Sequence, residues 1–525
     1  MLPKMRVLFA LVLLVFPWQL PSAAQTPASP SYDLVIANGR VIDPETKFDA
    51  VANVGIKDGR IAAITKDPIE GKGTIDAAGH VVSPGFVDTH VHIVDHPFGQ
   101  KLMLRDGVTT TLDLEVGAWP VERFYDHMEG RSQTNYGATV SALGIRESVF
   151  NPKYDPETGI ITTDIFAKTP RSFVSMKWSP TVPDAGQLKE IIARIEEGLR
   201  AGALGVGAPV GYAVDGVTSQ ETTAWQRLAG KYGRAVFLHG RFSSQVAPAT
   251  GILGFEELIA NVGIYGGGLM LQHMHQQALG LTGVALKLID DARARGLSVS
   301  GEIYPYNFGA TIAGADYLKP GNYGPNMGRE YKDIIETATG KPLDESRYKE
   351  LIKKAPGTGV MFYGSTEDDM LKALAHPGTT VGSDAFPLTV KATGKLATDW
   401  ELDYQVVMGH PRAAGTHSKV LRLVRETQLM PLMDAIAKMS FLPAKFLEEN
   451  GVAQMAFKGR MQEGADADIT IFDPQTVRDN STMKQGGLPA SGIPFVLVNG
   501  TVIVRDGKVL KGIYPGRPIR LPAKD

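Results

Sequence analysis

The chain has 525 residues, 43% of them hydrophobic, with 58 glycines, 33 prolines and a formal net charge of −2. That is enough for one large catalytic domain and a smaller one. With no basic run and no interleaving of basic and aromatic residues, the balance excludes a nucleic-acid binder and points to a small-molecule partner. Cysteine is absent, so no disulfide, thiol nucleophile or thiolate ligand is available, and any metal must be held by His, Asp, Glu or a modified Lys.

In chain order, Lys4 and Arg6 precede an apolar run at residues 7–16, and Ser22, Ala23 and Ala24 supply the small residues of a cleavage site. Residues 1–24 thus read as a signal peptide and predict an exported protein, periplasmic or secreted. The run falls short of the about 20 residues that span a bilayer, so no stable membrane insertion is expected after cleavage. Residues 33–42 give two β-rich runs around Asn38-Gly39, and Asp58-Gly59 marks a second turn. Near the other end Asn499-Gly500 and Asp506-Gly507 repeat that pattern. The two ends read as one small composite β domain, residues 31–82 plus 455–520, around a main domain of residues 83–454.

Within the main domain short β-like runs alternate with helical ones, as in parallel βα units. The clearest helix carries Leu188, Ile191, Ile192, Ile195 and Leu199 on one stripe and meets Gly202 just beyond its end. Candidate strands fall at residues 87–92, 108–115, 138–143, 203–210, 235–239, 269–275, 297–304 and 380–384. Eight in succession predict an α/β fold, a (β/α)₈ TIM-like barrel with a small β-sandwich domain built from both chain ends. A ninth β-like run at 173–176 is taken as an insertion, and residues 309–359, rich in Gly, Pro and Tyr, as a lid or specificity loop.

The strongest chemical signal is His90-Val91-His92. Alternate strand residues face one way, so both rings reach one ion. Further ligand types stand at the ends of later strands: Glu115, His239, His275 and Asp384. In a parallel barrel these ends meet at one face, so six metal ligands from five strands are expected there. His273 shares the predicted strand face of His275, and the two exchange roles readily.

These features, with Gly107-Val108-Thr109-Thr110, Gly202-Ala203-Leu204-Gly205, His239-Gly240-Arg241, Tyr304-Pro305-Tyr306, Gly382-Ser383-Asp384, His410-Pro411-Arg412 and residues 464–469, resemble the amidohydrolase superfamily, and within it the N-acyl-D-amino-acid deacylase (D-aminoacylase) branch, from about residue 33 to 520. The resemblance implies one or two Zn²⁺ ions: His90, His92 and Asp384 on one site, His239 and His275 on a second. The branch commonly bridges with a cysteine where Val116 falls here; its neighbour Glu115 is the available replacement, with a carboxylated Lys177 as runner-up. The branch's substrate-holding lysine is replaced by Gln277.

Chemically, a zinc-like ion generates hydroxide near neutral pH and polarises an amide carbonyl, with Asp384 placed as general base and acid. Arg241 is a candidate for the substrate carboxylate or equally a structural ion pair, and Tyr304 or Tyr306 for the oxyanion. His410-Pro411-Arg412 lines the mouth or braces a loop. The function expected is hydrolysis of an amide C–N bond in an N-acyl-D-amino acid. A dipeptidase-like or cyclic-amide hydrolase is the alternative, and a non-catalytic scaffold a lesser one; a homo-oligomer is compatible with either enzyme.

Overall fold

The computed structural model describes residues 1, 32–151, 178–319 and 321–521. The chain opens with β1 (Leu34–Asp43), β2 (Phe48–Lys57), β3 (Arg60–Thr65), β4 (Thr74–Asp76) and β5 (Val81–Pro84). Then come β6 (Phe86–Asp88), β7 (Val108–Ala118), β8 (Asn135–Ser141), β9 (Gly205–Pro209), β10 (Ala235–His239), β11 (Gly268–Leu271) and β12 (Ser298–Ile303). β13 (Phe308–Ile312), β14 (Ile334–Glu336), β15 (Lys341–Pro342) and β16 (Gly359–Tyr363) follow, then β17 (Thr379–Val381) and the pair β18 (Thr389–Val390) and β19 (Val407–Met408). The last strands are β20 (Ile469–Phe472), β21 (Phe495–Val498), β22 (Thr501–Arg505) and β23 (Lys508–Val509).

β6 to β12 and then β17 form one sheet in sequential order with every pairing parallel. Just past the strand ends, the backbone N–H of His92 donates to Ala385 O and that of Ala385 to His90 O, closing strand eight onto strand one. Apolar residues of these strands are almost all fully buried, as expected of a parallel sheet covered on both sides. The helix Ala185–Arg200 shows how the cover is built. Its start is fixed by a capping box between Asp184 and Gln187; Ile191, Ile195 and Leu199 turn inward; and Gly202, at φ 101°, ends it.

A second sheet runs β23-β22-β21-β20-β5-β1-β2-β3, with β4 paired to β1, and so draws strands from both chain ends. Asn38-Gly39 does not turn the chain, contrary to its reading as a hairpin. Asn38 sits at φ 61° in a bulge inside the single strand β1, and the register with β2 shifts there. Asn499-Gly500, by contrast, joins the antiparallel pair β21 and β22. The stretch expected as a lid, residues 309–359, lies within an insertion from Phe308 to Tyr363 that holds β13 to β16 as a four-stranded antiparallel sheet with the helices Tyr323–Met327 and Glu345–Lys354, between barrel strands seven and eight. The ninth β-like run at 173–176 lies outside the described residues.

Candidate metal centre

The strand ends deliver six side chains to one buried cluster. β6 stops at Asp88, whose carboxylate accepts the backbone N–H of both His90 and Ser383 and thereby joins the segment bearing His90 and His92 to the one bearing Asp384. The two Nε2 atoms of His90 and His92 lie 3.1 Å apart. Each is 3.4 Å from Glu115 Oε2 and 3.4 Å from Asp384 Oδ1. Four donors at Zn–N/O distances of about 2.0–2.1 Å in a tetrahedron are separated by about 3.3–3.4 Å, so His90 and His92 are spaced with either carboxylate oxygen as ligands of one zinc-sized ion.

Glu115 turns its other oxygen to a second group: Oε1 is 3.1 Å from His273 Nε2 and 3.6 Å from His239 Nδ1. One carboxylate therefore faces two candidate positions, as a bridging ligand does. Both ring nitrogens of His239 are buried without a hydrogen bond among the described residues, a cost of about 1–3 kcal/mol per orphaned group unless a cation accepts the lone pair. Charge points the same way. Burial alone would lower His90, but Asp384, Glu115 and Glu302 outweigh it and push the ring up to about 10, and His92 is raised by Asp113, Asp384 and Glu115 against the same burial. A cluster so rich in carboxylate favours positive charge, and the donor set fits zinc. Lys177 lies outside the described residues.

Surrounding groups aim the ligands. Glu302, on β12, accepts from His90 Nδ1 at 2.8 Å and from the backbone N–H of His273 at 2.8 Å. Asp113 Oδ1 stands 3.4 Å from His92 Nδ1. Such outer carboxylates fix the ring's tautomer and orientation. Asp384 Oδ2 pairs with Arg412 Nη1 at 2.9 Å. Burial pushes this carboxyl up, but Arg412, His90, His92 and His273 more than offset it and hold it well below the usual range.

Two expected residues are elsewhere. β11 ends at Leu271, four residues short of His275, and His273 follows in the left-handed region at φ 31°, capping the short helix Met274–Ala278. The period-two alternation of strand side chains therefore ends before His273. His273 enters the cluster, whereas His275 Nε2 donates to Tyr306 O at 3.0 Å and burial pushes its ring down to about 3. Arg241 turns from the cluster toward the helix Gly251–Tyr265, meeting Glu257 through two 3.0 Å contacts and capping Val217 O. Its place at the cavity belongs to Arg412, whose guanidinium lies 4.7 Å from the Tyr304 ring.

Tyr304 lines the cavity and its hydroxyl faces Gly309, where an added Cβ would come within 3.1 Å. Tyr306 instead donates to Gly415 O. Gln277 donates to Gln272 O and accepts from Gly240 N, bracing the loops that carry His239 and His273. Tyr212, Tyr317, Met327 and Phe362 complete the cavity wall, three of them from or beside the inserted sheet. Glu302 escaped sequence reasoning because a lone carboxylate near a strand end carries no pattern. Arg412 carried one, in His410-Pro411-Arg412.

A (β/α)₈ barrel gathering four histidines and two carboxylates at the C-terminal ends of its strands is the architecture of the metal-dependent amidohydrolases. No family model matches the chain. It is 28% identical over 515 residues to an N-acyl-D-glutamate deacylase of Alcaligenes xylosoxydans xylosoxydans, covering 91% of this chain and 96% of that protein. To a D-aminoacylase of the same organism it is 26% identical over 528 residues, covering 93% and 98%. The crystal structure of N-acyl-D-glutamate deacylase from Bordetella bronchiseptica, complexed with zinc and a phosphonate mimic of the tetrahedral intermediate, superimposes with a TM-score of 0.71 at 25% identity, over 93% of this chain and all of that one. The relatives that match the chain over nearly its whole length are thus N-acyl-D-amino-acid deacylases.

Proposed function

We propose that this protein is a metal-dependent amidohydrolase that deacylates N-acyl-D-amino acids. The observation that carries the reading is the Glu115-bridged cluster at the strand ends, in which the donor spacing fits zinc; whole-length likeness to D-amino-acid deacylases supports the substrate class. His90, His92, Glu115 and Asp384, with His239 and His273 beside them, would hold zinc, which would supply activation of water and polarisation of the amide carbonyl.

The chain's own groups do the rest. Asp384, anionic at neutral pH, takes the proton of the attacking water and returns it to the leaving nitrogen. Arg412 offers the substrate carboxylate a planar guanidinium at the cavity wall, and the Tyr304 hydroxyl donates to the carbonyl oxygen as it gains charge. The wall of Tyr317, Met327 and Phe362 excludes water. Export to the periplasm or beyond is part of the proposal, supported by the sequence of residues 1–24.

The test is a panel of N-acetyl-D-amino acids, their L-enantiomers, dipeptides and hydantoins. Turnover of N-acetyl-D-amino acids at least about 100-fold above the others is expected; preference for dipeptides or hydantoins would contradict the reading.

A further inference from the structure

A groove of about 440 Å³ lies beside the catalytic cavity, between the inserted sheet and the segment after Asp384. Ala310 and Phe386 line both spaces. Phe386 lies two residues past Asp384, and its ring meets the edge of His92 at 6.3 Å between centroids, so the groove opens beside the ligands that face the scissile carbonyl. Its lining is small and largely apolar, including Ile312, Ala338, Pro387 and Leu396. Lys395, exposed at the rim, and His410 are the titratable groups among its described residues; burial keeps the His410 ring neutral, and its Nε2 donates to Phe308 O. The cavity on the other flank differs: it carries Arg241, Asp215, Asp316, Lys319 and two asparagines.

We infer that the groove takes the acyl chain of the substrate, and that the natural substrates carry an extended apolar acyl group of roughly eight carbons or more rather than acetyl. This rests on the deacylase reading. In that reaction the acyl chain is bonded directly to the attacked carbonyl carbon, so it must leave the metal cluster past the immediate neighbours of the ligands, and Phe386 and Ala310 are those neighbours on the groove side. The amino-acid half keeps its carboxylate on Arg412. An apolar chain removes water from an apolar lining, each buried methylene strengthening binding by about fourfold at most. A charged group meets no opposite charge in the groove short of the Lys395 rim, the polar side chains of its lining being His410 and the hydroxyls of Thr311, Thr337, Thr358 and Thr389.

The experiment compares N-acetyl, N-octanoyl and N-dodecanoyl derivatives of one D-amino acid on the metal-loaded full chain, together with calorimetric binding of dodecanoate. kcat/KM is expected to rise about 100-fold from acetyl to octanoyl. Ala338→Trp, at an exposed groove position remote from the metal cluster, should erase that rise and leave the N-acetyl rate unchanged. Dodecanoate should bind the native protein and fail to bind the variant. A flat or falling dependence on chain length, with N-acetyl substrates hydrolysed, overturns the inference and leaves the deacylase reading standing. Should no N-acyl-D-amino acid be hydrolysed, that reading fails; dodecanoate binding lost in Ala338→Trp would still support an apolar-chain site in the groove, and absence of binding would overturn it.

Discussion

Asp384 combines three constraints in one residue. It stands at φ 49°, a left-handed conformation that an L side chain adopts at a cost of about 1 kcal/mol. One oxygen faces His90 and His92, and the other is held by Arg412. Asn at this position keeps the shape and one ligating oxygen but accepts no proton. Asp384→Asn is therefore expected to retain metal, measured by mass spectrometry, while kcat falls by about 10²–10⁴-fold; undiminished turnover would remove its acid–base role. The two arginines separate as cleanly. Arg241→Met leaves Glu257 without its cation, with only neutral partners such as the Thr222 hydroxyl, and should cost about 2–3 kcal/mol in urea unfolding with KM little changed. Arg412→Met should raise KM for N-acyl-D-amino acids by about 10–100-fold.

At the scale of elements, the barrel strands were legible because buried parallel strands read as apolar runs between helical stretches, and their order in the sheet follows their order in the chain. Strand ends were not legible. The run at 269–275 kept its β-like character through Met274, yet β11 stops at Leu271, and a backbone turn at His273 that periodicity cannot register decides which histidine meets Glu115. Asn38-Gly39 shows the same limit, since a left-handed Asn serves a bulge as well as a hairpin. Arg241 follows from packing: its partner Glu257 sits on a helix 16 residues on, a contact that only the fold creates.

Behind the metal cluster Asp106, at the end of the helix Pro97–Arg105, accepts from His417 N and Nδ1 and from Ser418 N and Oγ at 2.6–3.0 Å. This clamp fastens that helix to the one spanning Arg412–Thr427. Burial lowers the His417 ring, but Asp106 and Asp88 outweigh it and raise it above its ordinary value. A raised folded-state pKa stabilises fully below the unfolded value of about 6.5, and the gain is lost as pH climbs through the folded value. The stability gap between the native protein and Asp106→Asn should therefore shrink as pH rises above about 6.5 in urea titrations; a gap that widens would contradict the charged clamp.

For the molecule as a whole, the metal cluster is where the barrel closes. Its candidate ligands come from strands one, two, five, six and eight, and the segments bearing those of strands one and eight exchange the backbone hydrogen bonds that close the barrel. An ion bound by the native state alone stabilises it by mass action, so metal removal should weaken the fold as well as the chemistry. The α/β class and the convergence of ligands at one face were legible from the chain because each ligand type stood near the end of an apolar run. The partner carboxylates and the walls were not, since they come from residues far apart in sequence such as Glu302 and Arg412.

The most direct test of the central claim is zinc content by mass spectrometry on the purified protein, with N-acyl-D-amino-acid hydrolysis measured before chelation, after it and after zinc is returned. About one or two zinc equivalents per chain, with activity abolished by the chelator and restored by zinc, is the predicted result. A protein that takes up no metal from excess zinc, or that hydrolyses these substrates equally well without it, would contradict the account.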